Sequence, residues 1–237
     1  VEAVRQGQFA EARKRFKAMP RSGIAAYSAP LALAWTLFGL EKTDAALEAL
    51  VPLNQKSGFA TIRYLHAGLI NDAANRTQAA QTAYRGVTQT LADAPIRVVR
   101  ATGSLLERSG RTKEARALYR NFLSKDPQNI IVTREIERLD AGIAVKPLVS
   151  TPAEGLAESL FDIARALPRE RASDIVMIYA RLAVYLRPDF ELARLQLGEL
   201  FDRQERYLKA NALYRSVDPA SPYSWSSRLR VAGNLVD

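Results

Sequence analysis

Apolar side chains recur along this chain at intervals of three and four residues, with polar positions between them. Val98, Val99, Thr102, Leu105 and Leu106 are representative. At 3.6 residues per turn they fall on one face of an amphipathic helix. A second such stretch follows after a short break, often marked by a glycine such as Gly110, and ends near a proline such as Pro127. Glycine favours a helix end and proline cannot continue one, so the pattern predicts paired helices joined by tight turns.

The pairs repeat. Gln8 to Phe16 (QFAEARKRF), Thr43 to Leu50 (TDAALEAL), Thr77 to Tyr84 (TQAAQTAY), Arg111 to Tyr119 (RTKEARALY) and Tyr207 to Tyr214 (YLKANALY) each place an alanine four residues before a large apolar side chain. Ala12, Ala46, Ala80 and Ala115 stand 34, 34 and 35 residues apart, and Phe16, Leu50, Tyr84 and Tyr119 keep that step. Upstream small residues share it: Ala34, Gly68 and Gly103, then Ala164, Gly198 and Ala232. A fixed period of this length marks an array in which each unit buries its apolar face against its neighbours. Gly68, Gly103, Ala164 and Gly198 are expected to face the partner helix of their pair and permit close backbone approach, and Phe16, Tyr84, Tyr119 and Tyr214 to fill the space against the neighbouring unit.

Small residue, turn glycine, alanine, aromatic and terminal proline are nearly all present in GSLLERSGRTKEARALYRNFLSKDP, as Gly103, Gly110, Ala115, Tyr119 and Pro127. The chain thereby resembles the tetratricopeptide repeat family. The resemblance implies an all-α, right-handed superhelical solenoid of stacked hairpins, with the first helix of each unit lining a concave face. Two departures shape the expected layout. The interval from Pro127 to Pro188 falls short of two full periods, and IAVKPLVSTP follows a single helical stretch without helical pattern. An N-terminal lobe over 1–140 is therefore expected, with a half repeat, three full repeats and one degenerate helix. An extended joint over 141–152 and a C-terminal lobe over 153–237, two repeats plus the first helix of another, complete it. At the far end Leu229, Val231 and Leu235 lack a covering helix, so either further repeats flank this piece or the ends self-associate.

Composition narrows the chemistry. There is no cysteine and one histidine, His66, among 237 residues, which removes disulfides, thiolate metal sites, cysteine nucleophiles and paired-histidine zinc motifs. No catalytic residue, cofactor or metal site is assigned, and the expectation is a protein that is not an enzyme. Net charge is +9. The excess is confined to residues 1–150, with 22 basic and 13 acidic side chains against 12 of each from Thr151 onward. The most apolar run, Asp174 to Leu186, is too short for a membrane span and carries Arg181. The chain opens at Val1 rather than methionine, as expected of a processed protein or an excerpt from a longer one.

Carrying the family's orientation across gives the candidate partner-binding positions: His66 and Asp72 in one unit; Arg97, Arg100, Ser104, Glu107 and Arg108 in the next; Gln196, Glu199 and Arg203 in the C-terminal lobe. Arg97, Arg100 and Arg108 are expected to form a basic ladder suited to a carboxylate or an acidic peptide, or else a solvated face with Glu107 as local partner. His66 is either a ligand contact or a structural residue. The lysine and asparagine clamp by which some family members hold a peptide carboxylate is missing, since Leu65, Leu69, Arg97 and Ala101 occupy its places. Tyr179, Tyr185, Phe190 and Phe201 suit burial between units better than a base-stacking platform.

The function expected is a non-catalytic scaffold or adaptor that binds a peptide or partner protein in its groove. The alternatives are a recruiting arm of a larger enzyme or protease complex and, from the basic balance, a nucleic-acid-binding module. AEGLAESLFDIARAL and YLRPDFELARLQLGEL resemble long bacterial cell-envelope repeat proteins in style. That resemblance leaves the compartment between periplasm and cytoplasm, inclined to the periplasm.

Overall fold

In the computed structural model, which describes residues 1–55, 58–87, 94–167 and 173–235, the three-to-four periodicity becomes helix from end to end. Among these residues there are fourteen α-helices, one 3-10 turn at Val51–Gln55 and no strand. In order they are α1 (Glu2–Arg5), α2 (Phe9–Lys17), α3 (Ala25–Gly39), α4 (Thr43–Ala49), α5 (Ala60–Ala73), α6 (Thr77–Arg85), α7 (Ile96–Arg108), α8 (Thr112–Lys125) and α9 (Ile130–Asp140). After a non-helical stretch over 143–151 come α10 (Pro152–Ala166), α11 (Ser173–Leu186), α12 (Glu191–Asp202), α13 (Tyr207–Arg215) and α14 (Ser224–Gly233). The chain divides into two compact units, Val1–Gly155 and Leu156–Asp237, so the division falls inside α10.

In the first unit α3, α5, α7 and α9 pack side by side as a row, and α4, α6 and α8 each pack on the helix before and the helix after. In the second unit α11, α12, α13 and α14 pack consecutively, around Met177, Ala180, Leu197, Phe201, Ala210 and Tyr214. Phe190 joins the buried set, whereas Tyr185 is 40% exposed, contrary to the burial expected of it.

The turns inside the pairs are built alike. Gly7, Glu41, Asn75, Gly110 and Glu205 have φ between 57° and 75°. The next residue's N–H reaches back five positions to a helix carbonyl: Lys42 to Leu37, Arg76 to Asn71, Arg111 to Leu106 and Arg206 to Phe201. This left-handed cap satisfies carbonyls that the helix end would leave orphaned. It suits glycine, and a glutamate there bears a steric cost. Glu205→Gly is accordingly expected to raise stability by about 0.5–1 kcal/mol, read as a higher midpoint in urea.

The repeat glycines face the partner helix of their own pair, as expected, but what they admit there is a tyrosine ring. A Cβ built on Gly68 would lie 2.1 Å from the Tyr84 ring, one on Gly103 2.2 Å from the Tyr119 hydroxyl, and one on Gly198 2.5 Å from the Tyr214 ring. Each tyrosine belongs to the second helix of the pair whose first helix carries its glycine. The ring therefore lies over its own first helix, and the glycine is the flat spot that admits it.

Candidate functional site

The first helices of three pairs carry an acid at or next to their C-terminal residue, and the sequence ties these acids to the repeat. Asp72, Glu107 and Asp202 each stand 12 residues before a repeat tyrosine. The Tyr119 hydroxyl donates to Glu107 at 2.9 Å, and the Tyr214 hydroxyl donates to Asp202. Burial and the adjacent carboxylate both disfavour the phenolate, so the two phenols are pushed up from their ordinary value near 10. Their contribution to stability is thus present below about pH 10 and lost as pH climbs toward the raised folded-state value.

The same acids are gripped from the following first helix or, for Asp202, from the residue that ends it. Arg108 Nη2 donates to both oxygens of Asp72, at 2.7 and 2.6 Å. Arg138 Nη2 donates to both oxygens of Glu107, at 2.6 and 2.7 Å. Asn234 Nδ2 donates to Asp202 at 2.6 Å. Arg100 Nε donates to Glu135 at 2.7 Å, and Arg138 Nε reaches the other oxygen of Glu135 at 3.2 Å. The side chains of Asp72 and Glu107 are only 4% and 7% exposed. Removed from water, such charges require these partners.

The candidate positions therefore divide. His66 and Asp72 were expected on an open face, and both are buried. The Trp35 indole N–H donates to His66 Nδ1 at 3.0 Å, which makes the imidazole the acceptor that a buried indole requires. Arg100 and Arg108 do not form a free basic ladder, because each is held by a carboxylate one repeat away. Arg97 is half-buried near the start of α7. Glu107 is the hub between Tyr119 and Arg138. Ser104 is buried. In the second unit Glu199 accepts from Arg230 at 2.7 Å, Arg203 is exposed, and Gln196 Oε1 is buried without a hydrogen-bond partner among the described residues.

What the structure adds is the stretch over 143–151, hereafter the strap. It lies against the first-helix row of its own unit. Arg138 Nη1 on α9 donates to the Ile143 carbonyl at 2.7 Å. Ser104 Oγ on α7 donates to the Lys146 carbonyl at 3.0 Å and accepts from Arg108 Nε at 3.3 Å. Val149 is 1% exposed. Beyond the strap Gly155 meets α3 so closely that a Cβ there would lie 2.2 Å from the Trp35 ring. The segment thus runs back from α9 past α7 to α3. A cavity of about 240 Å³ remains beneath its first half, between Glu107, Arg108 and Leu139 on one side and Ile143, Ala144 and Val145 on the other.

No protein-family model matches the chain, and no curated protein matches it in sequence. The chemistry is therefore read from the residues alone. No group of three or more metal-ligating side chains occurs among the described residues, and no helix among them is long and apolar enough to cross a membrane. Two side-chain donors are aimed at main-chain carbonyls of the strap, while at its ends the strap donates its own N–H groups, Ile143 to the Arg138 carbonyl and Ser150 and Thr151 to the Glu154 carboxylate. The two side-chain donors hold the backbone whatever the strap's side chains, and the buried Val149 adds an aliphatic anchor. Sequence reasoning missed Trp35, Glu135, Arg138 and Val149. Glu135 and Arg138 could have been found, because each stands close to one repeat after its partner, Arg100 for the first and Glu107 for the second.

Proposed function

We propose that the chain is a non-catalytic protein-binding scaffold of the tetratricopeptide repeat kind, a stack of helical hairpins that holds an extended segment of a partner across its row of first helices. The observation that carries this reading is the pair of donors on neighbouring first helices, Arg138 and Ser104, engaging the carbonyls of Ile143 and Lys146. Recognition of an extended segment through its backbone, with one aliphatic side chain buried, is a general mode of peptide capture. The recurrence of the helix pairs every 34 or 35 residues supports the repeat architecture.

The arginine pairings alter the expected ligand. Arg100, Arg108 and Arg138 are committed to Glu135, Asp72 and Glu107, which disfavours an acidic peptide or a phosphate backbone and favours an aliphatic segment. Arg76, Arg111, Arg116, Arg134, Arg187 and Arg230 are likewise paired with carboxylates.

Selection of displayed random peptides on the immobilised chain tests the reading. Aliphatic-rich peptides binding saturably at one per chain are expected. Enrichment of acidic peptides would overturn the proposed ligand class, and failure to enrich any saturable binder would overturn the scaffold.

A further inference from the structure

The strap does to the first-helix row what a bound peptide would do, and it does so from within the chain. Its backbone is non-helical, its Lys146 carbonyl is taken by Ser104, and its Val149 side chain is buried three residues further on. Its first half is less buried: Ile143 is 60% exposed although its main chain is bonded to Arg138, Ala144 is exposed, and the cavity lies between this half and Glu107, Arg108 and Leu139. The main chain is thus bonded at Ile143 and Lys146, and the side chains between them stand over open space. A segment joined to its site by the chain itself competes at an effective concentration on the order of millimolar. A ligand that can bind only when the strap is out has its affinity reduced by the fraction of time the strap is in.

We infer that residues 143–151 are an internal ligand of the first-helix row, and that the segment this site takes from a partner is an extended aliphatic stretch of the strap's own chemistry that must displace it. Such a segment presents a carbonyl to Ser104 and an aliphatic side chain three residues later in the place of Val149. It enters over the cavity beside Ile143, where the strap is least buried. The inference rests on the scaffold reading for the existence of a partner, but not for the occupancy of the site.

The test uses a labelled peptide of sequence GIAVKPLVST, residues 142–151, against two forms of the full chain: the native one and one whose residues 143–151 are replaced by a glycine–serine linker of equal length. Fluorescence anisotropy is expected to show saturable binding to the replaced form, at least about tenfold weaker binding to the native form, and weaker binding to a replaced form that also carries Ser104→Ala. Equal affinity for both forms, or no binding to a replaced form that keeps its helical circular dichroism and cooperative melt, would overturn the inference. Because the chain has no cysteine, the native protein offers a second route that does not depend on the replaced form folding. A solvatochromic label on Ala144→Cys should shift its emission as excess peptide displaces the strap, and constant emission up to millimolar peptide would count against displacement. If displayed peptides bind native and replaced forms alike, the scaffold reading stands and the strap inference falls. If the strap peptide binds the replaced form and no other peptide is selected by either form, occupancy of the site by the strap stands, and the scaffold reading falls together with the partner segment. Exchange of straps between two copies would appear as a concentration-dependent dimer of the native chain and would overturn occupancy in cis.

Discussion

Replacing Gly103 with alanine is expected to cost about 3 kcal/mol of folding free energy, although in an open helix the same change stabilises by roughly 1 kcal/mol. The sign reverses because the new methyl would lie 2.2 Å from the Tyr119 hydroxyl and 2.4 Å from its ring edge. The ring cannot swing aside, being fully buried with its hydroxyl fixed on Glu107. Two companions isolate the cause. In a Tyr119→Leu background the cost of Gly103→Ala should fall below about 1 kcal/mol, giving a coupling of roughly 2 kcal/mol across the pair. Gly233→Ala, at a helical glycine with nothing within 4 Å of the added atom, should be neutral or mildly stabilising. Urea denaturation of these proteins checks this, and a Gly103→Ala chain as stable as the parent would show that the helix pairs close around something other than this contact.

Removal of the Asp72 carboxylate carries the second large effect. Asp72→Ala leaves the Arg108 guanidinium without the two charge-assisted bonds it makes there. Breaking a buried pair from one side costs about 3–5 kcal/mol. Because the Arg108 side chain is 26% exposed, part of its charge can be rehydrated, and a loss of about 2–3 kcal/mol is expected. The double change Asp72→Leu/Arg108→Met should cost less than Asp72→Ala alone, since it leaves no charge stranded. By contrast Glu137→Ala, which breaks an ion pair whose partners are 59% and 54% exposed, should cost less than about 0.5 kcal/mol. Thermal melts rank the three, and equal losses would mean that burial of these pairs has no energetic weight.

The helices and their pairing were legible because a helical period and a longer repeat are both statements about which side chains share a face. The glycines were legible as sites of close approach. Their facing helix was read correctly and the tyrosines were not placed on it, because spacing alone cannot say whether a tyrosine on the second helix folds over its own pair or the next. The arginine face failed for a physical reason that the sequence did hold. Charges exposed on one helix meet the neighbouring first helix about one repeat away, so Arg100 finds Glu135 and Arg108 finds Asp72. His66 gave no comparable signal, since its neighbour Trp35 becomes visible only when α3 and α5 pack. The strap was legible as non-helical from Pro147 within it, Pro152 just after it, and lost periodicity. The surface it covers was not, because a segment held through its main chain leaves almost no trace in side-chain pattern.

The most direct test of binding on the first-helix row is hydrogen exchange, read by mass spectrometry, on the chain with and without a selected peptide. Added protection is expected in α5, α7 and α9, with α4, α6 and α8 unchanged; protection confined to α4, α6 and α8, or spread evenly over both sets, would contradict it.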